Sequence, residues 1–293
     1  MSPVKRWQFV SASAVGTLLL LASSGTALAD GHGSGDAGTV CTGGTVMAGH
    51  YRNLTVTGVC QITSGLVHVS GDVVIRPGAL LDAVSPAATV VVGGDIRVGR
   101  GAVLFLGCGA SLPMCSNIAP GPDLVRGSIV ATEALGVVVH AVTVRGDLSI
   151  IGGGGGPNVA LVNAPGACFG VTPPAPWSAD SNFASEPVYS DVEDTSIGGD
   201  LRIVGLQTCW LGGLRNTVRG DFIDVNNQMG DPDANEMLNN IVGQNLACFG
   251  NTPAVQVGDS TAPPNTVYGR ALGECSPSTI STVVAGGGDQ DSH

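Results

Sequence analysis

Apolar and polar positions alternate along much of this chain. Val67, Val69, Val73 and Ile75 all sit at odd positions with mostly polar or small residues between them. That period of two belongs to strands that bury one face. The alternation is interrupted by one recurring phrase: aliphatic, any residue, Gly, often Asp, aliphatic. It reads Val69-Ser70-Gly71-Asp72-Val73, Val92-Gly93-Gly94-Asp95-Ile96, Val144-Arg145-Gly146-Asp147-Leu148, Ile197-Gly198-Gly199-Asp200-Leu201 and Val218-Arg219-Gly220-Asp221-Phe222. Weaker copies occur at Ile241-Val242-Gly243 and Val267-Tyr268-Gly269. The seven glycines are separated by 23, 52, 53, 21, 23 and 26 residues. A strand-like period of roughly 20–25 residues marks a parallel β-solenoid, and each long gap is read as about two coils with loops added.

The expected fold is therefore all-β, a right-handed parallel β-helix of about nine or ten coils, from the mature length divided by the period. Pro77-Gly78-Ala79-Leu80 and Arg100-Gly101-Ala102-Val103 occupy equivalent turns, which makes Gly78 and Gly101 corner residues. One β-helix domain is expected over 39–275, with insertions near 107–123 and 157–195. Residues 30–38 and 276–293 read as flexible ends, being rich in Gly, Ser or Thr. The Gly152–Gly156 run has no following Lys or helix, so it reads as a corner, not a phosphate loop. The phrase Asn-x-aliphatic-x-Gly recurs at Asn216, Asn239 and Asn265, and Ala-Cys-Phe-Gly at 167–170 and 247–250.

Composition adds a compartment. Lys5 and Arg6, an apolar stretch around Leu18–Leu21 and Ala27-Leu28-Ala29 form a signal peptide over 1–29, with Asp30 as first mature residue. Export makes disulfides the default for eight cysteines. Neighbourhood pairs Cys41 with Cys60, Cys108 with Cys115, Cys168 with Cys209 and Cys248 with Cys275. The mature part keeps ten Arg, no Lys and all 23 acids, a formal charge of −13. That balance disfavours nucleic acid and anionic membranes as partners, and no later stretch is long and apolar enough to span a bilayer.

The segments Val-x-Gly-Asp-Val-x-Ile-x-x-Gly-Ala (69–79), Asn-Thr-Val-Arg-Gly-Asp-Phe (216–222) and Pro-Asn-Thr-Val-Tyr-Gly-Arg-Ala-Leu-Gly-Glu-Cys (264–275) resemble secreted right-handed parallel β-helix proteins of high-GC Gram-positive bacteria. The resemblance covers most of the mature chain. It implies export and a solenoid, and it carries over no catalytic residues. A looser similarity to bactofilin-type polymerising β-helices is opposed by the signal peptide and the cysteines here.

Candidate chemistry is sparse. The aspartates after the repeat glycines either form a ladder that binds cations or cap backbone amides at the corners, and corner capping is the simpler reading. Arg145-Gly146-Asp147 and Arg219-Gly220-Asp221 match the integrin tripeptide but fall inside the repeat phrase, where the Arg position varies freely. Asp231, Asp233, Asn235 and Glu236 place four oxygen donors within six residues, a candidate calcium loop without EF-hand spacing. Trp177, Phe183, Tyr189, Asp191, Glu193 and Asp194 in the larger insertion are the candidate ligand-binding set: aromatic faces can stack on sugars, and paired carboxylates can act as acid and base. The plainer alternative packs those aromatics onto the solenoid. His50, His68 and His140 lie in strand-like segments and read as structural.

No catalytic residues are assigned, and no cofactor is required, with calcium the one ion considered. The expected function is an exported structural or adhesive, surface-associated protein without catalytic activity, with extracellular polysaccharide or envelope proteins as partners. The alternative is a carbohydrate-binding or carbohydrate-cleaving β-helix that uses the 177–194 segment, with calcium as a potential requirement.

Overall fold

The structure is a computed structural model describing residues 38–115, 123–155, 168, 172–258 and 263–276. The expected signal peptide over 1–29, most of the polar N-terminal stretch and nearly all of the tail lie outside the described residues. Successive coils stack their strands into three long parallel sheets, with a short fourth pairing Gln207–Thr208 and Gln228–Met229. Sheet A has ten strands, from Thr39–Cys41 to Ala271–Gly273. Sheet B has eight, from Gly44–Thr45 to Asn235–Leu238, and sheet C nine, from Gly49–Tyr51 to Thr266–Val267. Every strand pairs with the equivalent strand one coil away, so the fold is a parallel β-helix. Val67, Val69, Val73 and Ile75 are buried in its interior, as the alternation requires.

The two long glycine gaps differ. The first holds an extra coil, whose Gly127 stacks between Gly94 and Gly146 through amide-to-carbonyl bonds of 3.0 and 2.9 Å. The second holds none: Thr143-Val144 pairs directly with Ser196-Ile197, and Leu148–Ile151 with Leu201–Val204. The expectation of two coils there is corrected to one coil carrying the long insertion. Spacing alone does not separate an added coil from an added loop.

Corner chemistry explains the repeat phrase. Asp72 Oδ1 accepts the Asp95 amide (2.9 Å), Asp95 Oδ1 that of Ser128 (3.0 Å), and Asp147 Oδ1 that of Asp200 (2.9 Å). Asp200 Oδ1 accepts the Asp221 amide and Asp221 Oδ1 the Asn245 amide, both at 2.9 Å. Each side chain thus satisfies a backbone donor one coil further on. The glycines keep the stack close: a Cβ at Gly94 would lie 2.9 Å from the Gly71 carbonyl. Arg97 bridges Asp72 and Asp95 at 2.6 and 2.7 Å, which offsets carboxylate repulsion along the ladder. Both integrin-like tripeptides are inside this stack, with Asp147 and Asp221 bonded to the next coil.

A second ladder runs along another corner. Asn216 Oδ1 accepts the Thr195 amide, Asn240 Oδ1 that of Asn216 and Asn265 Oδ1 that of Asn240. The stacked residue is Asn240 rather than Asn239, because the strand pairing aligns Val218, Val242 and Val267. Asn239 instead takes a left-handed corner position with φ of 53°. Gly78 and Gly101 are corners as expected, with φ of 72° and 63°. All four inferred disulfides form, and they fit an oxidising compartment.

Removing one ladder oxygen leaves one partly buried amide without its acceptor, a loss of about 1 kcal/mol. In chemical denaturation Asp200→Ala is expected to lose that much and Asp200→Asn, which keeps the oxygen, to lose little. Equal losses in both variants would reject the ladder account.

Candidate metal centre

Sheet B differs from its neighbours because both of its faces are buried. The strands Leu80–Ala83, Val103–Leu106, Gly136–His140 and Ser190–Glu193 are buried throughout. Their inward side chains, such as Leu104, Val137 and Val192, fill the coil interior, whereas Leu80, Phe105 and Val138 point outward under a cover. The two insertions supply that cover. Cys108–Cys115 closes the first into a small loop whose Leu112 packs into the outer cluster. The second brings Trp177 and Phe183 onto Phe105 and Tyr189 against Trp177: Phe183 stacks on Phe105 at 4.0 Å between centroids, and Trp177 meets it edge-on at 4.9 Å. Gly136 makes room for the indole, since a Cβ there would lie 3.0 Å from a Trp177 ring carbon.

At the C-terminal end of this covered face the strand pairing assembles a polar cluster. Val138 and His140 stand in register with Asp191 and Glu193, which in turn face Gly212 and Leu214. His140, Asp191 and Glu193 are 1, 4 and 4% exposed. His140 Nε2 lies 2.7 Å from Asp191 Oδ2, and its Nδ1 lies 3.0 Å from Ser111 Oγ on the disulfide-closed loop. Arg215 reaches back to Glu193 Oε2 and donates through Nε to Asp194 Oδ1 at 2.8 Å. Asp194 and Arg215 both hold left-handed corner conformations, φ 50° and 56°, on adjacent coils. Strained non-glycine corners of this kind are maintained only where the surroundings over-determine them.

One atom in this network is left over. Asp191 Oδ1 is buried and has no hydrogen-bond partner among the described residues. Gly212 lets the Trp210 ring and this oxygen sit close to the backbone, as a Cβ there would come 2.6 Å from an indole carbon and 2.7 Å from Asp191 Oδ1. A cavity of about 120 Å³ adjoins it. Ser111, Leu112, Tyr189, Trp210 and Glu236 contribute to its walls. It has room for an ion with a few waters, each taking about 30 Å³ in the liquid.

Electrostatics favour a further cation. Asp191, Glu193 and Asp194 face Arg215 and His140, three carboxyl groups against one fixed cation and one imidazole. Burial pushes Asp191 up to about 7, reinforced by the neighbouring Glu193 carboxylate. Burial opposes charge on His140, yet the Asp191 carboxylate outweighs it and raises the imidazole above its ordinary value. Arg215 is likewise held above its usual range, against its own burial, by Asp194 and Glu193. Among the described residues this is the one group of three His, Cys, Asp or Glu side chains whose donor atoms lie within 4.8 Å of one another.

The sequence-expected sites fare unevenly. Tyr189, Asp191, Glu193 and Asp194 do come together. Trp177 and Phe183 are 0 and 2% exposed, so these two rings pack the insertion and present no face to a sugar. The indole Nε1 donates to the carbonyls of Phe183 and Glu186 at 2.9 and 3.1 Å. The candidate calcium loop does not converge. Strand alternation sends Asn235 inward to Asp224 (3.4 Å) and Glu236 outward to the cavity wall. Asp231 Oδ1 accepts the Asp233 amide in a local turn, and Asp233 accepts from Gln256. His140 and Arg215 are the members that sequence reasoning did not place.

No family model matches this chain, and neither a curated protein nor a solved structure matches it. Among the described residues no helix is long and apolar enough to cross a membrane.

Proposed function

We propose that the protein is an exported, non-catalytic parallel β-helix that holds one divalent transition-metal ion on the covered face of sheet B, through His140, Asp191 and Glu193. The observation that carries this reading is the buried Asp191 Oδ1, without a hydrogen-bond partner among the described residues, beside a small cavity, where donor atoms of His140, Asp191 and Glu193 lie within 4.8 Å of one another. A single imidazole with two carboxylates suits zinc, manganese or iron(II) better than calcium, which prefers all-oxygen sets. Arg215 and Ser111, which also line the cavity, hydrogen-bond to the Glu193 carboxylate and the His140 ring, the supporting role that fixes ligand orientation. The ion would tie the second insertion's strand to the neighbouring coil and serve an extracellular scaffold. Carbohydrate cleavage has less support, because Trp177 and Phe183 are buried and the cavity is small.

Metal binding displaces the protons shared by His140 and Asp191, so zinc affinity is expected to rise from pH 6 to pH 8. Calorimetry with Zn²⁺, Mn²⁺ and Ca²⁺ on the oxidised mature protein tests this. Asp191→Asn and His140→Gln should each weaken zinc binding at this site at least tenfold. Calcium binding more tightly than zinc, or zinc binding unchanged in both variants, would overturn the assignment.

A further inference from the structure

His50 and His68 stand on the outer side of sheet C, at its N-terminal end, well separated in the coil order from the cluster on sheet B. They are directly paired residues of neighbouring strands, Gly49–Tyr51 and Gly65–Val69. Their Nδ1 atoms lie 2.9 Å apart, and the rings meet edge-to-face at 89°. His50 is exposed and His68 half-buried, so the pair opens to solvent. We propose that His50 and His68 form a two-histidine clamp for a divalent transition-metal ion of the zinc and copper class.

The argument is geometric. A contact of 2.9 Å between two imidazole nitrogens requires one proton between two facing lone pairs. A metal ion can take the place of that proton. Two nitrogens each about 2.0–2.1 Å from an ion lie about 2.9 Å apart at a right angle and about 3.3 Å apart at the tetrahedral angle. The pair therefore already stands at the spacing of neighbouring ligands. The parallel register fixes the two backbones, and side-chain rotation alone opens the gap to the larger value. Imidazole suits zinc, copper and nickel. With only two protein ligands, the remaining positions on the ion face water and are free for a donor from outside the chain. This clamp is independent of the proposed centre at His140, and either can fail without the other.

Zinc titration of the oxidised mature protein, followed by ¹⁵N imidazole NMR, reads each histidine separately. The Nδ1 resonances of His50 and His68 should move together at one concentration. His50→Gln should weaken the response of His68 at least tenfold, and His68→Gln should do the same to His50. His140→Gln should leave both unchanged. Independent titration of the two rings, or an undiminished response of one after loss of the other, would overturn the clamp, as would no shift at either ring.

Discussion

In EDTA with its disulfides intact, the protein is expected to be more stable at pH 5 than at pH 8 by several kcal/mol. Most proteins owe acid lability to carboxylates that are paired or hydrogen-bonded in the folded state. Here the decisive carboxyls are buried and shifted the other way. Burial pushes Asp82, Asp191 and Asp224 up to about 7 and Asp123 to about 6. In the unfolded chain the same groups titrate near 4. Between about pH 4 and pH 7 the folded state therefore binds more protons, and stability falls as pH rises through that window. Asp224 alone, moved by about three pKa units at about 1.4 kcal/mol each, contributes on the order of 4 kcal/mol to the fall. It lies in the coil interior, surrounded by Asn227, Asn235 and Asn251, with no cation bonded to it among the described residues and Glu274 opposing its charge.

His140 acts in the same direction, since a raised imidazole stabilises the fold below its ordinary range and loses that contribution as pH climbs. Asp72 and Asp200 act oppositely: hydrogen bonds and the Arg97 or Arg202 guanidinium hold them down. Both are half-buried at the surface, and their effect lies below the usual carboxylate range. Urea denaturation at pH 5 and pH 8 measures the difference, and Asp224→Asn should remove one carboxyl's share of the slope. A protein equally stable at both values, or more stable at pH 8, would refute the burial account.

Trp177→Ala should cost about 3–5 kcal/mol, as large-to-small changes in a packed core do. The ring is fully buried between Phe105, Phe183 and Tyr189, and its Nε1 satisfies two backbone carbonyls that would lose their donor. Trp177 anchors the second insertion over sheet B, so its loss should expose 172–189 to proteolysis before the coils themselves open. The same variant should weaken zinc binding at His140, because Tyr189 and Trp210, two walls of the cavity, are reached through this aromatic chain. A sugar-stacking tryptophan on the surface would instead be removed with little change in stability. Melting temperature together with limited proteolysis separates the two, and an unchanged melt would return Trp177 to the ligand-binding role.

The solenoid was legible because every coil solves the same corner problem in the same way. Gly fills the closely stacked position from Gly71 to Gly220, with Arg52 and Gln244 in its place in the coils before and after, and an Asp, Asn or Ser next to it supplies the oxygen for the neighbouring amide. Errors arose where spacing is ambiguous, as with Asn239 read for Asn240 and the single coil between Gly146 and Gly199. The acids at 191–194 were visible as a run, but their partners were not. His140 reaches Asp191 across that mis-counted gap, and Arg215 arrives from the following coil, so both depend on register rather than on local sequence. One signal for a covered outer face was present. Val103–Leu106 and Val137–Val139 are apolar without alternation, the pattern of strands buried on both sides.

The ladder bonds have a consequence for heredity. Each joins a coil only to its neighbours, so the bonds that flank one coil can be re-formed by the next. Duplication or deletion of one such DNA segment would add or remove a rung while leaving the flanking bonds re-formable. Ten strands of sheet A at about 4.8 Å spacing make a rod of roughly 45 Å. Its reach can therefore be inherited as a number of repeats, lengthened in discrete steps, with the covered face of sheet B carried along at a fixed place on the rule.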